Sequence, residues 1–402
     1  MRRVGVLLLI GIVLLVGCGN KDDGTQGQSD SSRQRTPAPR ATPTFTGPVS
    51  LSMWHPYQGA NADALQAAAA TFTDANPTLT LTLEYHPPDT LLTDYQQAVR
   101  QGGGPDILVT QPSWVGGLVE NRLILPLDTA LIDEIGTRTD SALFQSLDYQ
   151  DQYWASPLTA DLLVMYSKIA DITLVPRGID DLLVVVGENG VVFSADPINL
   201  LGLYPSGAFF DAGGRPVVDE EGLTTLGTLL QTLAVNPNVT FSDDTAAFVT
   251  GSASALIAPA SLYPTLSAAL GDQLRISLLP EVTAGVAWRP ILDLTLLTVN
   301  VNVTDESLAA ASLFMAYLIS PEVQAQLAEQ GDFMPLMNIT STTDSATRLY
   351  IQQMRSAQST TLDHDFYITF LPDFANLLTQ MRQPGADIPA LIGTWLPESA
   401  IQ

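Results

Sequence analysis

Two short loops set aromatic rings beside hydrogen-bonding side chains: Trp54-His55-Pro56-Tyr57-Gln58-Gly59 and Thr110-Gln111-Pro112-Ser113-Trp114. The rings offer apolar faces for stacking, while His55, Gln111 and Ser113 offer donors and acceptors, which is the chemistry of holding a small molecule. Bond-breaking chemistry finds little support. The three histidines stand in no triad context and no Gly-x-Ser-x-Gly turn occurs, so no nucleophile is matched with a base. His-Glu-x-x-His, Cys-x-x-Cys and calcium-loop patterns are missing as well, and neither a metal nor a cofactor is expected. Carboxylates are abundant, 42 in all, and counting alone leaves a glycosidase pair open.

The elements that position these loops are legible from periodicity. Val49, Leu51 and Met53 alternate with polar residues as a strand does. A helix is expected next, with Asn61 at its N-cap and Leu65, Ala69 and Phe72 as the apolar stripe, ending near Asn76-Pro77. Leu79, Leu81, Leu83 and Tyr85 alternate again, an amphipathic segment follows from Leu91 to Arg100, and Gly102–Pro105 breaks into the strand Asp106–Val109. This β-α-β-α-β order predicts an α/β fold built on a doubly wound, mostly parallel sheet. Ligands of such sheets sit beyond the carboxyl ends of the strands, where both loops fall. Packing roles compete: Trp54 suits capping the core, and Trp114 suits leaning on Val115 and Leu118. Tyr204, Phe209 and Phe210 read as core, and Asp219, Glu220 and Glu221 as charges at a helix N-terminus.

With 402 residues, 46% hydrophobic and 15% charged, the chain can bury a large core and should divide into two or three domains. At the amino terminus Arg2 and Arg3 precede the apolar run Val4–Val16, too short to span a bilayer but suited to a signal-peptide core. The run ends in Leu15-Val16-Gly17-Cys18, which resembles the lipobox of bacterial lipoproteins. That resemblance implies cleavage of residues 1–17 and acylation of Cys18, the single cysteine, so no disulfide can form within the chain. Cleavage removes two arginines and leaves 15 basic against 42 acidic side chains, about −27. Such a surface argues against nucleic-acid binding and against electrostatic membrane attachment, leaving the lipid as the anchor. Residues 18–48, rich in Gly, Ser, Thr, Gln and Pro, read as a disordered tether reaching roughly 30 Å.

After Pro48 the chain resembles the family 1 extracellular solute-binding proteins of ABC importers, the maltose-binding-protein group. The resemblance rests on the strand ending at Trp54, Gly102–Ile107, Leu123–Asp128, Tyr153–Lys168, Ala247–Pro259, the pair of helices from Leu308 and Gly331–Pro335, in that order and spacing. It implies a two-lobed, type II periplasmic-binding-protein fold, each lobe a doubly wound sheet, with the ligand in the cleft. The lobes implied are residues 49–158 with 294–343, and 159–293 with 344–402. The chain should cross between them near Pro157–Asp161 and Ile291–Thr295. Of the two helices that then pack on the first lobe, the second should open with Ser320 as N-cap and Pro321 at N1.

Carried over position by position, the resemblance makes Trp54, His55, Tyr57, Gln111, Ser113, Trp114 and Asp161 ligand-binding candidates, with Trp288 and Asp293 near the second crossing. Departures are visible. The Asp-Arg pair of maltodextrin binders is missing after the Asp106–Val109 strand, Leu292-Asp293 stands where many sugar binders have Gly-Gly, and Ser261 and Tyr263 stand near a usual tryptophan. The function implied is a monomeric, lipid-anchored, extracytoplasmic receptor that passes a carbohydrate to membrane permease subunits. Alternatives on the same fold are a polyamine or iron receptor, or a surface sensor detached from transport.

Overall fold

The computed structural model describes residues 45, 47–211, 214–331, 333–336 and 345–396. Cys18 with its lipobox and nearly all of the expected tether lie outside the described residues. Phe45, within the expected tether, already packs against the first core.

The strands run in chain order β1 (Val49–His55), β2 (Leu79–Tyr85), β3 (Ile107–Thr110) and β4 (Ile124–Leu125), then the hairpin β5 (Asp148–Tyr149) and β6 (Gln152–Tyr153). Next come β7 (Ser156–Asp161), β8 (Leu163–Lys168), β9 (Val191–Phe193), β10 (Val239–Phe241), β11 (Ala255–Pro259) and β12 (Leu274–Ser277). A second hairpin, β13 (Glu281–Thr283) and β14 (Val286–Ala287), precedes the long β15 (Asp293–Asn300). Two sheets result, one ordered β2-β1-β3-β15-β4 with β7 also paired to β15, the other β10-β9-β11-β8-β12. Helices lie between the strands, which gives the two-lobed α/β fold.

Each sheet is parallel where a helix joins successive strands and antiparallel where the chain arrives from the other sheet. β1 runs parallel to β2 and β3, and β9 parallel to β10 and β11. β15 instead runs antiparallel to β3, β4 and β7, and β8 antiparallel to β11 and β12. Only Leu162 separates β7 from β8, so one extended segment serves both sheets.

Local chemistry accounts for most of the first lobe. In β1 the side chains of Val49, Leu51 and Met53 turn inward, the period-2 pattern of its sequence. The helix Gly59–Ala75 buries Leu65, Ala68, Ala69 and Phe72, one stripe at helical spacing. It begins two residues before Asn61, with Gln58 at the N-cap and no side chain capping it. The position expected of Ser320 is met, yet its hydroxyl donates backward to Tyr317 O at 2.7 Å rather than forward to the helix Pro321–Gln330. Asp219 does cap the helix Glu220–Val235, accepting from Gly222 N at 2.6 Å.

One core centres on Met53, Leu65, Tyr95, Ile107 and Phe314, the other on Phe193, Phe209, Leu226, Trp288 and Phe374. Tyr204, Phe209 and Phe210 are buried in the second. A further extended stretch holds the cores together late in the chain. Gln358 exchanges backbone hydrogen bonds with Pro290 and Leu292, and Thr360 N donates to Ser146 Oγ at 2.9 Å. The helix Pro112–Glu120 presses on the same stretch: a β-carbon on Gly116 would lie 2.5 Å from Leu362 O. No single helix among the described residues is long and apolar enough to cross a membrane.

Candidate functional site

A cavity of about 310 Å³ opens at the carboxyl ends of β9, β10 and β11, against the start of β8 and β15. Phe193 and Phe241 are partners in the parallel β9/β10 register, so the loops that follow them leave the sheet side by side. The first loop carries Ser194 and Asp196, the second Ser242 and Asp243, and all four line the cavity. Ser194 Oγ ties the loops together. It donates to Asp243 Oδ1 at 2.7 Å and accepts from Asn199 Nδ2 at 3.0 Å. Asp243 Oδ1 also takes Ala195 N at 3.0 Å, and Asp196 Oδ1 caps the short helix Pro197–Leu200 through Ile198 N at 3.0 Å. Each carboxylate thus commits Oδ1 to the scaffold, and among the described residues no donor reaches its Oδ2.

The crossing strands supply two more carboxylates. Asp161, the last residue of β7, is the register partner of Asp293, the first of β15. Asp161 Oδ1 accepts from Leu162 N at 2.7 Å and Ser261 N at 3.3 Å. Burial nevertheless outweighs these donors and pushes its carboxyl above the ordinary aspartate range. Among the described residues no donor holds Asp293. The residue is exposed by surface area, yet neighbouring protein crowds its carboxyl. Burial first, then the charges of Asp161 and Asp196, push it up to about 6. Asp196 is raised too, by burial foremost and then by Asp243, against the lowering effect of its bond from Ile198 N. Leu162, Ile198, Leu256 and Leu262 are among the apolar residues of the wall, and no aromatic side chain among the described residues lines it. No lysine, arginine or histidine among the described residues does either.

Of the candidates named from sequence, the cavity brings together Asp161 and Asp293 alone. Trp54 stacks on His86, ring centroids 3.8 Å apart, and its Nε1 donates to Glu84 Oε2 at 3.0 Å, both within the first lobe. His55 is buried, with Nδ1 accepting from Tyr57 N at 3.2 Å. Burial, and after it His86, holds its pKa below the usual value. The Tyr57 hydroxyl is buried beside Thr295 without hydrogen-bond geometry to it, and its ring meets Phe333 edge-on at 5.0 Å. Gln111 is exposed at the N-cap of the helix Pro112–Glu120, with Ser113 and Trp114 half-buried in its first turn. Thr110, just before them, pairs with Leu296 of β15, so this loop leaves the first sheet at the end where Asp293 stands.

Trp288 is the clear correction. It is 2% exposed and stacks on Phe193 within the second core, centroids 5.9 Å apart, with Gly202 closing over its Nε1. A ring packed there cannot face the cleft. The aromatic floor expected beside Asp161 is likewise missing from this cavity, because Ile198, Ser261 and Leu262 occupy the wall. Asp196 and Asp243 were not singled out from sequence. Their signal was partial: Phe193-Ser194-Ala195-Asp196 and Phe241-Ser242-Asp243-Asp244 repeat Phe-Ser-x-Asp at two strand ends, which marks Asp196 but aligns it with Asp244 and leaves Asp243 at the variable position.

Two sheets joined by paired crossing strands, with a polar cavity at the carboxyl ends of the second, define a two-lobed binding protein. The profile of the bacterial extracellular solute-binding protein family matches residues 67–348, and the chain belongs to that family. A stretch of 136 residues, 34% of this chain, is 23% identical to the maltotriose-binding protein of Pyrococcus abyssi and spans 30% of that relative's length. Among solved structures, the cyclic α-maltosyl-1,6-maltose binding protein of Arthrobacter globiformis superposes with a TM-score of 0.73 at 18% identity, over 88% of this chain and 98% of the other. The GacH receptor of Streptomyces glaucescens, solved unliganded and with acarbose, gives 0.71 at 17% identity, over 86% and 96%. At these identities the structures share the fold, and the family description assigns solute binding outside the cytoplasm.

Proposed function

We propose that this chain is the receptor of an ABC importer, held to the outer face of the membrane by a lipid on Cys18, and that its solute is a carbohydrate. One observation carries the reading: the cavity is bounded by Asp161 and Asp293, which belong to the two strands linking the sheets. A solute that hydrogen-bonds there acts on the hinge itself and favours closure, and closure presents a new surface to permease subunits. Carboxylates, serines and an asparagine suit sugar hydroxyls, which donate and accept in close succession, while Ile198 and Leu262 suit their CH faces. The relative in Pyrococcus abyssi is named for maltotriose, which fits this class. Gln111, Ser113 and Trp114 are the contacts we assign to the first lobe, and Trp54, His55 and Tyr57 support it from within. The receptor acts as a monomer by binding alone, with no chemical step.

Mass spectrometry of the solute that copurifies with the soluble domain tests the class. A sugar-containing solute is expected, and one without any sugar ring would withdraw the carbohydrate reading. Small-angle scattering with that solute restored should show compaction. An unchanged profile at saturation would make the protein a rigid interaction module.

A further inference from the structure

The cavity is more acidic than hydroxyl recognition requires. Asp161, Asp196, Asp243 and Asp293 reach it from β7, the β9 loop, the β10 loop and β15, and no basic side chain among the described residues lines it. Resting on the carbohydrate reading above, we propose that the solute carries a protonated nitrogen, as an aminated saccharide does, and that this ammonium is seated between Asp293, Asp161 and Asp196.

Three observations point the same way. Asp293 and Asp161 face each other in register, an arrangement of like charges that costs stability unless a proton or a cation lies between them. Asp196 and Asp243 have their Oδ1 atoms fixed by Ile198 N, Ser194 Oγ and Ala195 N, so their remaining oxygens are pre-positioned acceptors. And no group of three or more acidic, histidine or cysteine side chains among the described residues has the spacing to hold a metal ion. Acceptors carried on separate segments suit an ammonium on an organic frame, whose three N–H donors reach separate partners and whose ring rests on Ile198 and Leu262. At about 310 Å³ the cavity lies at the small end of ligand pockets, roughly 300–1,000 Å³, so the charged unit fills much of it.

The surrounding titratable groups set the pH behaviour. Around Asp293 these are Asp161, Asp196 and, from the turn Phe366–Phe370, Tyr367, on which Asp293 acts. Tyr166 and Tyr350 border Asp161, and Tyr263 lies close to Tyr166. All are acids, and burial holds Tyr166, Tyr350 and Tyr367 protonated, so the carboxylates alone change charge. Asp293 loses its negative charge as pH falls through about 6, and the affinity for an ammonium falls with it.

Calorimetric titration of the soluble domain with four probes tests this: the glucosamine trimer, its fully N-acetylated counterpart, maltotriose and spermidine. The glucosamine trimer should bind about 10-fold or more tighter than the two uncharged trisaccharides at about pH 7, and lose that preference at about pH 5. Asp293→Asn should abolish most of the preference. Asp196→Asn should reduce it while keeping the Oδ1 acceptor for Ile198 N, and circular dichroism of both variants confirms folding. Equal or weaker binding of the glucosamine trimer, or a preference untouched in both variants, overturns the ammonium site and leaves a neutral-sugar receptor standing. Binding of spermidine alone, lost in Asp293→Asn, keeps the ammonium site and removes the carbohydrate reading. No binding of either amine overturns the proposal.

Discussion

Asp161 and Asp293 stand opposite one another across the antiparallel pair β7/β15, at the point where both crossing strands meet the cavity. Solute recognition and hinge geometry therefore share two carboxylates, and the cost of holding them together is present before any solute arrives.

That cost has a measurable sign. Asp293 is raised from the ordinary 3.8 to about 6, so folding favours its protonated form. The stability this contributes is complete below about pH 4 and is lost as pH rises through about 6. Asp293→Asn should accordingly raise the melting temperature of the unliganded protein at neutral pH, with the gain shrinking to nothing near pH 4. Differential scanning calorimetry across that window checks it, and a loss at neutral pH would mean that Asp293 has a stabilising partner.

Trp288 and Trp114 should separate cleanly on truncation. Trp288→Ala empties the core beside Phe193 and is expected to cost about 3–5 kcal/mol of stability. Trp114→Ala, half-buried in the first turn of its helix, should cost less stability but about 1–3 kcal/mol of solute affinity. Paired denaturation and titration curves decide it. A Trp114→Ala protein with unchanged affinity and a lowered melting temperature would return that ring to a packing role.

Gly116 and Gly117 offer a graded test of how tightly the first lobe meets the late stretch 358–364. A β-carbon at Gly116 would lie 2.5 Å from Leu362 O and 2.7 Å from His364 N, both backbone atoms that cannot step aside. At Gly117 the contact is the His364 ring at 3.1 Å, which can turn. Gly116→Ala is expected to cost about 1–3 kcal/mol and Gly117→Ala clearly less. Equal melting temperatures for the two would show that the stretch is loosely held.

Cys18→Ser bears on anchoring. Cell fractionation should find the variant in the soluble fraction or as uncleaved precursor, whereas normal mature mass in the detergent-extractable fraction would set the lipid anchor aside.

What the sequence determined by itself is local. Alternation in Val49–Met53 and Leu79–Leu83, the stripe Leu65-Ala69-Phe72 and the acidic helix start at Asp219, Glu220 and Glu221 each rest on neighbours a few residues away, and each is found in place. The Phe-Ser-x-Asp repeat at Phe193 and Phe241 was open to reading too, but it aligns Asp196 with Asp244 and not with Asp243 of the cavity. Tertiary structure alone decided which side chains meet. Trp288 lies in the core because Phe193 and Gly202 close around it, although nothing in its own neighbourhood distinguishes it from a ring in the cleft. Asp161 and Asp293 are far apart in the chain and become partners through the register of β7 on β15, while Asp196 and Asp243 converge because β9 and β10 are parallel neighbours. Periodicity specifies which face of a strand is apolar. It carries no information on which distant strand will pair beside it, and that pairing is what gathers four carboxylates around one cavity.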